Sequence, residues 1–452
     1  MNGWRRVMVV IALVVVVVGC PGCWDKVELE DVAWVQAMGF DKGPDGYTVT
    51  TFQVGVPRNL RGGVGGGGAG APSGPYHVTV SVLAKTSFEA IDLVALNLGR
   101  RLSLEHTQSF VFGEELARAD IRGLASGMDR FREVRGSAFV FLARGRAEDV
   151  LRAMTSPLDV SPSRFLQTIV QQHRHTGLFE ATQFAPFVWG IQSDAHTASA
   201  PIIALAKDVR PGVPTGMGRE YPASPGIGER IGEPALPPDV GGASAGSSML
   251  EAGRMPRLGG GPVEVMGAAV FSGGQMVGDF DGEETRAMMM LKGRFERAAF
   301  SLPDPMAPEY PLALEIKGLG TRVRARRDGE KVWIDVTVRV EIDYIFTRTQ
   351  ADYTDPRNSP IVEKAVEEYL KARLDRAIAR AKGMKVDPFG LGEYVRKTFW
   401  TWPEWEAFAW PTKFPDALVN ASVKCNLARY GMNLEPLSVP PGERLRKQGD
   451  AE

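Results

Sequence analysis

A short apolar run at the start of the chain constrains everything after it. Arg5 and Arg6 precede Val7 to Val18, about a dozen consecutive hydrophobic residues, where a spanning helix needs roughly 20. A positive flank, a short apolar core and small residues beyond it form an export signal rather than a membrane span. The run ends in Gly19-Cys20-Pro21-Gly22-Cys23-Trp24. A small residue and then cysteine is the pattern at which a lipoprotein signal is cut and the new terminal cysteine acylated. Val17-Val18-Gly19-Cys20 places the lipid on Cys20, with residues 1–19 as the signal peptide; Cys23 is the alternative anchor. Acyl chains contribute about 0.8 kcal/mol per buried methylene, so a multiply acylated cysteine holds a protein firmly on a membrane.

At 452 residues the chain exceeds one core and suits two or three domains. Lys and Arg number 53 against 54 Asp and Glu, a balance that gives no electrostatic footprint for nucleic acid. Of three cysteines only Cys425 lies in the body, so packing rather than a disulfide framework must hold the fold.

Residues 24–206 read as a first α+β module, with a subdomain break near 155. Val32 to Phe40 and Tyr47 to Val54 flank Gly43-Pro44-Asp45-Gly46 as a hairpin. Arg61 to Pro75 is almost all Gly, Ala, Pro and Ser, with no Lys-Ser or Lys-Thr to make it a phosphate cradle, so it reads as a loop before a strand at 76–84. Thr86-Ser87-Phe88-Glu89 has capping-box spacing and predicts a helix with Phe88, Ile91, Ala95 and Leu98 facing the core. A strand at 109–112, one helix running from Gly113 through Leu116, Leu124, Met128 and Phe131, a strand at 137–143 and a helix at 147–154 follow. His173-Arg174-His175 would present two imidazoles on one side of a strand, but no third ligand stands near, and metal is not expected.

Lys207 to Pro262, dense in Gly, Pro, Ser and Ala, reads as an interdomain linker. If wholly flexible it would span about 40 Å and let the two halves reorient. Residues 263–440 form the second α+β module and 441–452 a polar tail. The clearest local signal is Val332, Ile334, Val336, Val338, Val340 and Ile342 alternating with mostly polar residues after an Asp328-Gly329 turn. Ser359-Pro360 opens a long helix to Lys382 with a stripe from Val362 to Ile378, and a last strand places Cys425 on its apolar side. The fold class is α+β, with antiparallel or mixed sheets and packed helices.

No Gly-x-Ser-x-Gly, His-Glu-x-x-His or Walker loop is present, and five histidines are scattered, so no catalytic residues and no cofactor are assigned. The densest aromatic stretch, Phe399 to Trp410, offers Trp400, Trp402, Trp405 and Trp410 as a candidate partner contact, with core packing as the plainer reading.

The chain resembles the Ger(x)C spore germination lipoproteins, the C subunits of nutrient germinant receptors. The resemblance is carried by Gly22-Cys23-Trp24-Asp25 with Glu28, Gly39-Phe40-Asp41, Arg101-Leu102 with His106, and Val111-Phe112-Gly113-Glu114-Glu115-Leu116-Ala117. It continues in Gly267-Ala268-Ala269-Val270-Phe271 with Val277-Gly278, Glu283-Glu284-Thr285-Arg286, Asp387-Pro388-Phe389-Gly390-Leu391-Gly392-Glu393-Tyr394 and Phe414-Pro415-Asp416-Ala417. The glycine loop and the linker look like insertions, and the family's glutamine near the end of the long helix is absent. The family's acylated cysteine directly precedes Trp-Asp, which favours Cys23 where cleavage chemistry favours Cys20. The resemblance implies a non-catalytic subunit anchored by lipid on the outer face of the spore inner membrane, beside multi-spanning A and B type subunits. A solute-binding lipoprotein of an uptake system is the alternative, and a cell-surface hydrolase a third reading.

Overall fold

A computed structural model describes residues 3–5, 7–11, 28, 31–56, 77–155, 162–206, 250–255, 260–347, 353 and 357–429. Cys20, Cys23, the glycine loop at 61–75 and the tail at 441–452 lie outside the described residues.

The chain opens with β1 (Val32–Lys42), β2 (Thr48–Gly55) and β3 (His77–Ala84), then α1 (Ser87–Leu98), β4 (Arg101–Ser103) and β5 (Ser109–Gly113). Next come α2 (Glu114–Ala119), α3 (Arg122–Asp129), β6 (Phe139–Ala143), α4 (Ala147–Ala153), α5 (Pro162–Gln171), α6 (His173–Thr176), β7 (Thr182–Gln183), α7 (Phe184–Gln192) and β8 (Ser199–Leu205). Beyond residue 262 follow β9 (Val263–Ser272), β10 (Gln275–Phe280), α8 (Gly282–Lys292), β11 (Ala298–Asp304), β12 (Ala307–Asp328) and β13 (Lys331–Thr347). The chain closes with α9 (Ser359–Gly383), α10 (Gly392–Arg396), α11 (Trp402–Phe408), α12 (Trp410–Lys413) and β14 (Leu418–Arg429).

Ten strands make a first sheet in the order β10-β9-β8-β6-β5-β1-β2-β3, with β4 on β1 and β7 on β6. Its centre, β8-β6-β5-β1, is parallel and its flanks antiparallel. Central parallel strands are covered on both faces, which is why β5 is buried at every position. Phe110 and Phe112 point into a core with α1, α3 and α7 residues, while Val111 points the other way onto α4 and α5.

Asp41 and two glycines seat α4 on this sheet. The Asp41 carboxylate accepts the amides of Ala147 at 2.7 Å and Glu148 at 2.9 Å, capping the helix from a distant strand. Burial pushes its carboxyl up, against those two amides and Arg146. A Cβ on Gly39 would stand 2.8 Å from Leu151, and one on Gly113 only 2.0 Å from Asp41 Oδ1. Gly39-Phe40-Asp41 and Gly113 therefore specify one helix docking.

β11-β12-β13-β14 form a second sheet, antiparallel except for the parallel β13-β14 pair. The predicted alternation holds: Val332, Ile334, Val336, Val338, Val340 and Ile342 are all buried, and Val362, Val366, Leu370, Leu374, Ala377 and Ile378 of α9 belong to the same core. From α9, Glu367 and Glu363 accept the amides of Cys425 and Leu427, each at 2.9 Å, covering the outer edge of β14. Cys425 is a partly buried free thiol, pushed up to about 12 by burial and then by these two carboxylates.

Four local readings need correction. Thr86 caps α1 as expected, but the Glu89 carboxylate reaches the amide of Lys85, and Ala90 and Val94 are the fully buried positions while Phe88 is exposed and meets Phe131. The helix after Gly113 is two helices, because Asp120 leaves helical geometry, accepts the Arg122 amide, and Ile121 bonds Gly274 on β10's turn. His173 and His175 stand on a helix, where neighbours two apart diverge, and not on a strand. Trp405 and Trp410 are in the core.

The segment read as a linker also does not leave two independent halves. β8 pairs with β9 from Ser199 with Val270 to Leu205 with Val263, so the first sheet continues through residue 280. Residues 250–255 join it: Gly253 and Met255 donate to Glu264, and the Gly282 amide bonds the Leu250 carbonyl at 2.7 Å. Reorientation about 207–262 would require that ladder to break. A protease cut within 207–249 is expected to give two fragments that co-elute in size-exclusion chromatography; fragments that separate without denaturant would contradict the continuous sheet.

Candidate functional site

The aromatic segment divides by burial. Trp400 is 96% exposed and Trp402 54%, whereas Trp405 is 2% and Trp410 1% exposed. Thr401 and Glu404 close a capping box at the start of α11; Trp402, at the first turn, lies outward beside Glu406, and Trp405 is buried. Trp405 meets Phe399 edge-on at 5.6 Å, and Trp410 meets Phe414 at 5.7 Å. The Trp410 ring N–H donates to Asp387 at 3.0 Å, and the same carboxylate takes the amides of Phe389 and Gly392. Of the four candidate contact residues, Trp400 and Trp402 face solvent and the other two hold the fold.

A cleft of about 970 Å³ lies where the segments on either side of 207–262 meet, walled by 170–183 and 196–199 from one and by 291–296 and 388–397 from the other. At its base Glu180, 3% exposed, accepts Ser199 Oγ at 2.6 Å, Lys292 Nζ at 2.7 Å and Arg294 at 3.0 Å. Burial alone would raise this carboxyl. Lys292 and Arg294, with hydrogen bonds from Lys292 and Ser199, outweigh burial and hold it below its ordinary value. Sequence reading passed over this trio, although an acid set between Phe179 and Ala181 was a usable signal, since charged residues in apolar surroundings are rare unless paired.

His173, His175 and His196 line the same cleft. Burial lowers the first and the last below the ordinary imidazole value. Ser193, His196 and Glu393 superficially suggest a nucleophile, base and orienting acid. Both oxygens approach the same ring atom, Nδ1, at 3.1 and 3.6 Å, so the imidazole does not bridge them as a relay requires. Ser193 Oγ instead accepts the amides of Ala195 and His196. Among the described residues no group of three or more His, Cys, Asp or Glu is placed to hold a metal.

On another side of the junction, α8 and α9 are joined by charge. Arg373 meets Glu283 at 2.5 Å, Arg376 meets Glu284 at 3.2 Å, and Arg380 reaches Asp279, which also pairs with Arg144 at 2.6 Å. Asp281 caps α8 in a full capping box with Glu284. Burial, and less so the Glu284 and Glu283 charges, push the Asp281 carboxyl up to about 6, against the Glu284 amide and Arg376. A carboxyl whose folded pKa is raised favours the folded state most below its ordinary value of 3.8 and loses that contribution as pH climbs through about 6. Asp281→Asn keeps a capping oxygen and removes the buried charge. Its stability at neutral pH is expected to exceed the parent's by on the order of 2 kcal/mol, with a flatter profile between pH 4 and 6 in denaturant titrations.

Two α+β modules sharing a sheet and clamped by ion pairs define a two-module scaffold. Residues 25–205 match the family described as spore germination protein N-terminal domain, and residues 266–431 match spore germination B3/GerAC like, C-terminal. The chain belongs to this GerAC-like, Ger(x)C family of spore germination proteins. It is 24% identical to spore germination protein KC of Bacillus subtilis (strain 168) over 441 residues, covering 96% of this chain and 98% of that one. It is 22% identical to putative spore germination protein YfkR of the same organism, covering 82% and 83%. A crystal structure of the GerBC protein aligns with a TM-score of 0.49 at 14% identity, over 86% of this chain and 96% of that one.

Proposed function

We propose that the protein is the C subunit of a spore nutrient germinant receptor, acylated at Cys20 or Cys23 and held on the outer face of the spore inner membrane. It acts there by assembly with multi-spanning A and B type subunits, not by catalysis. The observation that supports this reading is the ordered match of both modules, 25–205 and 266–431, behind an apolar run that ends in cysteine. Among the described residues no helix is long and apolar enough to cross a membrane, and this reading attaches the protein through its acylated cysteine.

Mass spectrometry of the mature amino terminus from sporulating cells is expected to show an acylated cysteine. Cys20→Ala and Cys23→Ala together should release the protein from the membrane fraction. An unmodified terminus, or a double variant that still sediments with membrane, would refute the anchor. A deletion strain that germinates normally with every nutrient would refute the receptor role.

The cleft favours one second reading, a solute-binding lipoprotein, since about 970 Å³ is ample for a small ligand. Lobes that close on a solute need a hinge, and here the β8-β9 ladder joins them. Saturable binding of nutrients by the isolated protein in calorimetry would favour this second reading.

A further inference from the structure

We infer that the end of the first sheet at which β1 begins is a lipid-facing surface. There the last turns of α1 rest in the headgroup layer of an anionic bilayer, with Leu93 and Leu96 inserted and Arg100 and Arg101 against phosphates. This rests on the lipoprotein reading above.

The inner face of α1 buries Ala90 and Val94, and its outer face leaves Leu93 40% and Leu96 83% exposed beside Glu89 and Asp92. Glu89 is drawn back to the Lys85 amide at the helix start, and beyond Leu98 exposed Arg100 and Arg101 follow. Arg101 is partly engaged by Glu133 at 3.2 Å but remains 61% exposed. Exposed leucines followed by arginines suit an anionic lipid surface, where cations near the headgroups are attracted to the phosphates.

Register places this patch at the chain's point of entry. β4 runs beside the start of β1, with Arg101 opposite Val32. From Cys20 to Val32 the chain reaches at most about 43 Å, and from Cys23 about 32 Å, at 3.6 Å per extended residue. β1 itself is 11 residues, or about 35 Å, long. Turning the opposite end of the sheet to the membrane would lift Val32 by that length. The tether would then be nearly straight from Cys20 and too short from Cys23. A tether from Cys23 therefore admits only the start of β1 at the bilayer, and the longer tether from Cys20 favours it.

The test uses the full-length acylated chain in vesicles of phosphatidylethanolamine and phosphatidylglycerol carrying a headgroup-level spin-labelled lipid. Leu96→Cys reports on this end. Glu115→Cys, on the helix after the far end of β5 and 76% exposed, reports on the opposite end. Each carries a bimane label, read above identically treated parent protein. The expected result is a blue shift and quenching at position 96 and neither at 115. If the protein floats with the vesicles but both labels stay in water, the surface is wrong and the anchor stands. If position 96 is shielded only in native spore membranes and not in protein-free vesicles, the patch docks a protein and the lipid assignment is overturned. If the acylated protein does not float, the lipoprotein reading fails and this inference fails with it.

Discussion

Trp410→Ala is expected to destabilise the protein by about 3–5 kcal/mol, the cost of emptying a buried aromatic site. The ring is 1% exposed, packs on Phe414, and closes over Gly392, where an added Cβ would lie 2.5 Å from the indole. Its N–H also donates to Asp387, whose carboxyl burial pushes up while Gly392, Trp410, Leu391 and Phe389 pull it down. Trp410→Phe should cost less, keeping most of the packing while removing that donor. Trp400→Ala, at a 96% exposed position, should stay within about 0.5 kcal/mol of the parent. The measurement is the urea midpoint at unchanged slope. A Trp410→Ala loss as small as that of Trp400→Ala would mean the indole is not a core residue. The pair also separates folding from assembly, because only Trp400 and Trp402 can be tested for partner loss without unfolding the chain.

Local pattern was readable where neighbours in sequence are neighbours in space. The Asp328-Gly329 turn with its alternating valines, the α9 stripe and the Thr86 cap each depend on residues a few positions apart, and each is found. The strand order was not readable, since pairing β8 with β9 joins residues across the whole 207–262 segment. The family-like motifs were visible but their meaning was not. Gly113 is required by the carboxylate of Asp41, 72 positions earlier, and Asp387 by Trp410, 23 positions later. Arg286, from the Glu283-Glu284-Thr285-Arg286 match, bonds the Thr176 carbonyl at 3.0 Å across the junction. These motifs mark where elements close on one another, which a search for ligand or catalytic spacing does not detect. The aromatic stretch misled for a simpler reason: Trp400 precedes α11 and Trp402 stands at its exposed first turn, while Trp405 and Trp410 pack against Phe399 and Phe414.

Glu180→Gln should cost about 3–5 kcal/mol, because it leaves the Lys292 ammonium, 12% exposed, without a full countercharge. Arg294, 63% exposed, can turn to water; Lys292 has no such exit, and burial already lowers its pKa. The paired variant Glu180→Leu with Lys292→Met is expected to lose less than either single change, since a well-packed apolar pair escapes the desolvation that both ions undergo. That non-additivity is the decisive reading in a double-mutant cycle. The pH dependence follows from the direction of the Glu180 shift. A carboxyl held below its ordinary value of 4.5 contributes its full stability above that value and loses it as pH falls through the lowered folded value. The parent should therefore show an acid-side decline that the paired variant lacks, opposite in slope to the decline Asp281 produces toward pH 6. The two buried acids on the two sides of the junction act with opposite slopes, Glu180 below its ordinary value of 4.5 and Asp281 between 3.8 and about 6, so variants at each site resolve them. If Glu180→Gln leaves both the midpoint and the acid limb unchanged, the ions at the base of the cleft do not hold the two modules together.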